Sequence, residues 1–128
     1  MTLSTKKIAV LGDGGWGTTL SILLDSNGLN VYLWGAFPDY VKTLDKERTN
    51  TKFLPDIKIP PSIKITSSLE IAIEYADIVV FAPPSQHMRD VVLKAKPYIK
   101  PMAVCLNVSK GLELKSFKRM SQILEELL

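Results

Sequence analysis

The chain alternates short apolar runs with stretches in which apolar residues recur every three or four positions. Lys7-Ile8-Ala9-Val10-Leu11 is a continuous apolar run ending on Gly12, the pattern of a strand buried on both faces of a parallel sheet. Behind the glycines that follow, Gly17, Leu20 and Leu24 recur at helical spacing with Leu23 beside them, and Asn27-Gly28 supplies a left-handed stop. Asn30-Val31-Tyr32-Leu33-Trp34 predicts a second strand ending at Gly35, so the chain opens as strand, helix, strand. Residues 39–47 carry Tyr40, Val41 and Leu44 on one helical face, whereas the polar, proline-bearing stretch 48–61 has no periodicity and reads as a long connection. Ile63-Lys64-Ile65-Thr66 predicts a short strand. Ser67-Ser68-Leu69-Glu70 then matches a capping box, with Ser67 and Glu70 three apart, opening a helix that runs to Tyr75. Asp77-Ile78-Val79-Val80-Phe81-Ala82 is the most apolar strand, stopped by Pro83-Pro84, and Met88, Val91, Val92 and Ala95 mark the next helix. Residues 102–108 predict a fifth strand, and a last amphipathic helix sets Phe117, Met120, Leu124, Leu127 and Leu128 on one side. Strands alternating with helices predict an α/β fold: a doubly wound parallel sheet, because each parallel connection needs a crossover and right-handed crossovers place helices on both faces.

Composition narrows the class. The 128 residues suit one domain spanning 1–128, and 46% hydrophobic with 23% charged residues is a globular balance. The net charge of +3 is spread over Lys6, Lys7, Lys42, Lys58, Lys94, Lys100 and others rather than gathered in a stripe, which argues against a nucleic-acid partner. Cys105 is the only cysteine and His87 the only histidine, so neither an intrachain disulfide nor a Cys/His metal cluster is expected, and a reducing cytoplasm fits. No apolar leader precedes the first strand, and no apolar run approaches the roughly 20 residues that cross a bilayer.

The candidate chemistry lies in Gly12-Asp13-Gly14-Gly15-Trp16-Gly17. In a Gly-x-Gly-x-x-Gly loop the first glycine permits the tight turn out of the strand, the second lets backbone approach a pyrophosphate, and the third lets helix pack closely on strand. The helix start adds free N–H groups and the positive end of its dipole. Glycines also punctuate plain turns, but here the motif follows an apolar strand, opens an amphipathic helix and sits in a strand-helix-strand unit, which points to dinucleotide binding on a Rossmann-type fold. The acid that would bind the adenosine ribose should end the second strand, and that end reads Leu33-Trp34-Gly35-Ala36-Phe37, with no acid and no arginine for a 2′-phosphate. NADP(H) thereby loses its anchor and NAD(H) only a hydrogen-bond partner, so NAD is the expected cofactor with NADP left open. Phe37 is placed to stack on adenine, though ordinary packing is an equal reading. Asp13 is expected to turn outward to solvent, since a carboxylate beside a pyrophosphate is repelled.

With Leu11-Gly12-x-Gly14-x-Trp16-Gly17-Thr18, Leu33-Trp34-Gly35, Asn50-x-x-Phe53-Leu54-Pro55, Pro84-Ser85-Gln86 and Ser109-Lys110-Gly111-Leu112-Glu113 in order along the chain, the sequence resembles the N-terminal half of NAD(P)-dependent sn-glycerol-3-phosphate dehydrogenases. The resemblance implies cofactor contacts from Gly12, Gly14, Gly15, Trp16 and Gly17, and from Pro84 in the segment after the fourth strand. It implies a place for Lys110 near both nicotinamide and a phosphorylated small-molecule substrate. Without the Ser-Lys-Gly match, Lys110 would read as a solvated loop lysine. His87 follows the fourth strand at the ligand-binding edge, as a cofactor contact or a plain surface histidine. Pro83-Pro84 departs from the family's usual single proline, and Ala36-Phe37 from its polar or basic pair after Trp-Gly, which bears on cofactor preference.

The resemblance further implies hydride transfer between the cofactor and sn-glycerol 3-phosphate or dihydroxyacetone phosphate, within glycerol-3-phosphate metabolism and phospholipid biosynthesis. The general-acid lysine and most of the substrate phosphate site would belong to a helical C-terminal domain beyond this chain, so no catalytic residue is expected here, and these 128 residues alone should bind NAD(H) weakly and turn over negligibly. Two other readings stand beside it: a non-catalytic NAD(H)-binding or sensing module, and the cofactor domain of a hydroxy-acid dehydrogenase. The apolar end at Leu127-Leu128 must pack on the sheet or on another chain, so a homodimer is one arrangement the sequence admits.

Overall fold

The computed structural model describes residues 6–128, and the leaderless start read for the first five residues lies outside them. Strand β1 (Lys7–Leu11) leads through helix α1 (Gly15–Ser26) to β2 (Asn30–Trp34) and then α2 (Pro38–Glu47). An antiparallel pair, β3 (Thr49–Asn50) and β4 (Leu54–Lys58), precedes β5 (Lys64–Thr66), α3 (Leu69–Ile73) and β6 (Ile78–Phe81). Helix α4 (Met88–Ala95), β7 (Val104–Asn107) and α5 (Met120–Leu127) complete the order.

Five strands form one sheet in the order β5-β2-β1-β6-β7, every pairing parallel. The chain winds from β1 outward through β2 to β5, then crosses to β6 on the other side and continues to β7. This is the doubly wound α/β sheet that the alternating pattern predicts. The period of two along β1 divides the core: Ile8 and Val10 join Val31, Leu33, Leu44 and Ile63 on the α1–α2 face. Ala9 and Leu11 join Ala72, Ile73, Phe81, Met88, Val92 and Ile123 on the opposite face. The buried side of α1 is built from small residues, Gly17, Thr18 and Ser21, which bring the helix close to the sheet. Leu20 and Leu24 are displaced to a groove of about 560 Å³ whose floor includes Ile78, Val80, Val104 and Leu106.

Three local expectations are corrected. The stretch 48–61 is not an irregular connection, since β3 and β4 pair within it; β4 is largely exposed and contains Pro55, so it carries no apolar alternation to read. The cap of α3 is Ser68, whose hydroxyl accepts from Ile71 N at 3.2 Å, one residue later than the Ser67–Glu70 box predicts. Ser67 contributes its carbonyl, which accepts from the Trp34 indole N–H at 3.0 Å. Phe117 is not on α5: it sits at φ 58°, mostly exposed, in a turn closed by the Leu112–Arg119 bridge, and the helix starts three residues later at Met120. Leu124 and Leu127 pack on the core of the α3–α4 face, whereas Leu128 stays exposed, so the apolar end is covered within the chain only in part.

Candidate functional site

The winding reverses between β1 and β6, and in an open parallel sheet the crevice beyond the carboxyl ends of such strands is where ligands sit. Gly12 leaves β1 at φ 135°, and a β-carbon there would lie 2.4 Å from the Ala82 carbonyl oxygen, so the loop turns directly against the end of β6. Its N–H donates to Trp34 O at 3.0 Å, tying the same turn to β2. A β-carbon on Gly17 would fall 1.9 Å from Gly12 O. The first and third glycines are therefore demanded by packing.

Gly14 is different. Its φ of −71° suits any residue, and a β-carbon there would meet nothing within 4 Å. Its bareness serves no neighbour among the described residues and leaves open space over the start of α1. That helix has Gly14 as N-cap with no side-chain cap, and its first turn holds no acid. The first-turn N–H groups and the positive end of the helix dipole thus face the crevice uncompensated, a setting suited to a pyrophosphate. Gly15 has a structural partner instead, since a β-carbon would lie 2.8 Å from Phe53 O. Trp16 is 57% exposed, which rules out the indole as core filler, and Phe37 is 73% exposed at the N-cap of α2, beyond the end of β2.

On the far side of the crevice Pro84, His87 and Lys110 are all exposed. Pro84 and His87 bound the single turn after β6, and Lys110 lies in the loop after β7. These two segments form one ledge. The Ser109 hydroxyl donates to Pro83 O at 2.6 Å, the Gln86 amide donates to Leu112 O at 2.9 Å, and its oxygen accepts from Leu114 N at 3.0 Å. Gly111, at φ 128°, lies so close that a β-carbon would come 2.9 Å from the Ser85 hydroxyl. The guanidinium of Arg89 grips Glu113 through two bonds of 2.8 and 3.0 Å and also pairs with Glu126. That pairing holds the Glu113 carboxyl down at about 2.

Asp13 overturns its expectation. The side chain turns inward, and Oδ2 is buried with no hydrogen-bond partner among the described residues. Burial pushes its carboxyl above the ordinary range, partly offset by its own backbone N–H and by the positive charge of Lys52. The room for this orientation comes from Gly35, where a β-carbon would lie 2.2 Å from Asp13 Oδ2.

Sequence reasoning also gave Asn50 no role. Its side-chain amide is fully buried and donates to Asp13 O and to the Thr18 hydroxyl, each at 2.8 Å. Its oxygen accepts from the Tyr40 hydroxyl and from Phe53 N. One side chain thus fastens the glycine loop to α2 and to the β3–β4 pair. The only sequence signal was its place in Asn50-x-x-Phe53-Leu54-Pro55, where the amide-to-main-chain bond at Phe53 N explains the spacing of Asn and Phe.

Comparison with known proteins agrees with this architecture. Residues 7–128 match the family described as NAD-dependent glycerol-3-phosphate dehydrogenase N-terminus. The chain is 46% identical over 122 residues to the glycerol-3-phosphate dehydrogenase [NAD(P)+] of Syntrophomonas wolfei, covering 95% of this chain and 36% of that protein. Against the Carboxydothermus hydrogenoformans enzyme of the same name it is 43% identical, with the same coverage. The crystal structure of glycerol-3-phosphate dehydrogenase from Coxiella burnetii superposes with a TM-score of 0.90 at 28% identity, over 98% of this chain and 38% of that one. The chain thus spans little more than a third of the length of the relatives it matches, and neither the sensing-module nor the hydroxy-acid reading is favoured by them. With its glycine loop, parallel sheet and five family segments in place, the chain belongs to the NAD-dependent glycerol-3-phosphate dehydrogenases, as their N-terminal, NAD-binding domain.

Proposed function

We propose that this domain holds NAD(H) across the crevice beyond β1 and β6. We further propose that the protein containing it transfers a hydride between NAD(P)(H) and sn-glycerol 3-phosphate or dihydroxyacetone phosphate. The observation that carries the first part is the uncapped start of α1 beneath the open space at Gly14. Gly12, Gly14, Gly15 and Gly17 shape the backbone around the pyrophosphate, while Trp16 and Phe37 offer exposed aromatic faces on the α1 and α2 sides. Pro84, His87 and Lys110 lie on the opposite ledge, at the nicotinamide end.

The bound nicotinamide supplies the hydride chemistry. This domain's own residues orient it: the ledge of Ser85, Gln86 and Ser109 to Glu113 is cross-bonded, so Lys110 is carried on a fixed support. A cation there serves a phosphorylated or carbonyl substrate by stabilising negative charge as it develops. The proton donor to the alkoxide, and most of the grip on the substrate phosphate, fall to the remainder of the protein. Among the described residues no helix is long and apolar enough to cross a membrane. A cytoplasmic location is part of the same proposal.

Fluorescence titration of NADH tests it. Gly14→Val should abolish binding while lowering the melting temperature by no more than the loss of a favourable helix N-cap, because a β-carbon there meets nothing within 4 Å. Unchanged affinity would contradict the placement of the pyrophosphate. Lys110→Ala should lower kcat/KM for dihydroxyacetone phosphate in the full-length enzyme with little effect on NADH binding, and robust reduction of that substrate by residues 1–128 alone would refute the division of labour.

A further inference from the structure

We propose that Asp13 sets the choice of NAD(H) over NADP(H), performing from inside the glycine loop the discrimination that an acid at the end of the second strand performs in other dinucleotide-binding sheets. The proposal rests on the cofactor reading above. The acid normally required after β2 is missing, because the chain there continues Gly35-Ala36-Phe37. A carboxylate is nonetheless present at that spot. Asp13 Oδ2 and Cγ lie 2.2 and 2.7 Å from the point a Gly35 β-carbon would occupy, and a Val41 methyl lies 2.7 Å from the same point. The side chain is therefore wedged between the first residue beyond β2 and the second turn of α2.

Two features keep it there. Asn50 donates to the Asp13 carbonyl at 2.8 Å and Thr18 lies on the same oxygen at 3.5 Å, so the main chain cannot swing the carboxylate outward. Gly35 has no side chain to displace it. Among the described residues the buried Oδ2 has no donor of its own. Oδ2 anchors the group in the wall, but Asp13 as a whole is only half-buried, and an acid at the adenosine end of the crevice is complementary to a ribose diol, whose hydroxyls donate, and repels a 2′-phosphomonoester, which carries charge of the same sign and donates little. Gly35, with no β-carbon, and the acid of the loop act as one device. This explains why the usual positions hold neither an acid nor an arginine.

The test is the ratio of dissociation constants for NADPH and NADH, read by cofactor fluorescence with the purified protein, in the wild type, Asp13→Asn and Gly35→Ala, with thermal melting as a folding control. The wild type should favour NADH. Asp13→Asn keeps the shape and removes the charge, and should narrow the ratio on the order of tenfold, chiefly by gaining NADPH. Gly35→Ala leaves the acid in the sequence but expels it from its place, and should narrow the ratio in the same direction, giving a reading that survives if Asp13→Asn folds poorly. A wild type that favours NADH, with both variants leaving the ratio within about twofold, overturns the proposal alone. A wild type that favours NADPH overturns the cofactor reading and the proposal with it.

Discussion

Removing the side chain of Asn50 is the most searching perturbation of the site, because one buried amide joins the glycine loop, α2 and the β3–β4 pair. In Asn50→Ala four hydrogen bonds go at once: those to Asp13 O and the Thr18 hydroxyl, and those from Tyr40 and Phe53 N. The losses are unequal. Phe53 is exposed and Tyr40 only partly buried, so water can replace the amide for both. Thr18 is fully buried, and the Asp13 carbonyl retains only the 3.5 Å approach of the Thr18 hydroxyl. A buried polar group stranded without a partner costs about 1–3 kcal/mol, so two partly stranded groups place the loss at roughly 2–4 kcal/mol. Against a total stability of about 5–15 kcal/mol this is a large fraction and should lower the melting temperature by roughly 10 °C. Chemical denaturation gives the energy directly. A cycle with Thr18→Val should return a coupling of about 1 kcal/mol, because Thr18→Val removes one of the groups that Asn50→Ala strands. NADH affinity should also fall, since the loop carrying Gly14 is no longer held. A loss below about 0.5 kcal/mol, or strict additivity with Thr18→Val, would refute the view that Asn50 is the fastening of this loop.

Two further outcomes follow from the charges and caps. Glu113 is held at about 2 by Arg89 against an ordinary 4.5, so its contribution to stability is complete above 4.5 and is lost as pH falls from there toward 2; Arg89→Met should flatten the melting-temperature profile over that window, and parallel profiles would refute the pairing. Ser68→Ala should cost about 1 kcal/mol by removing the cap of α3, whereas Ser67→Ala, which leaves the carbonyl that receives the Trp34 indole, should be near neutral by denaturation; the reverse order would restore the box read from sequence.

What was legible in the sequence and what was not divide along a physical line. Periodicity records which face of an element is buried, so all five strands of the parallel sheet and its helices could be read from runs such as residues 77–82 and spacings such as Met88, Val91, Val92 and Ala95. The β3–β4 pair could not, because it lies outside the main sheet with β4 mostly exposed, and a strand that buries neither face leaves no apolar pattern. Phe117 misled for the complementary reason: its spacing to Met120 is helical, but it faces solvent from a turn at positive φ. Polar contacts are the least legible, since an amide such as Asn50 pairs with groups 32 and 37 residues away and no local pattern marks the partners.

Asp13 shows how the two kinds of information combine. Repulsion from a pyrophosphate was a sound reason to expect it outside, yet that argument weighed the carboxylate against one neighbour only. The glycine following Trp34 opens a space at the end of β2 that no residue's own preferences disclose, and only the parallel register that sets Leu11 beside Trp34 brings the loop to it. The acid missing from one position of the sequence and the unexplained acid at another are then a single fact about the fold. Testing either alone by mutation would understate it, because Gly35→Ala and Asp13→Asn should not add: once the carboxylate is displaced, removing its charge has little left to change.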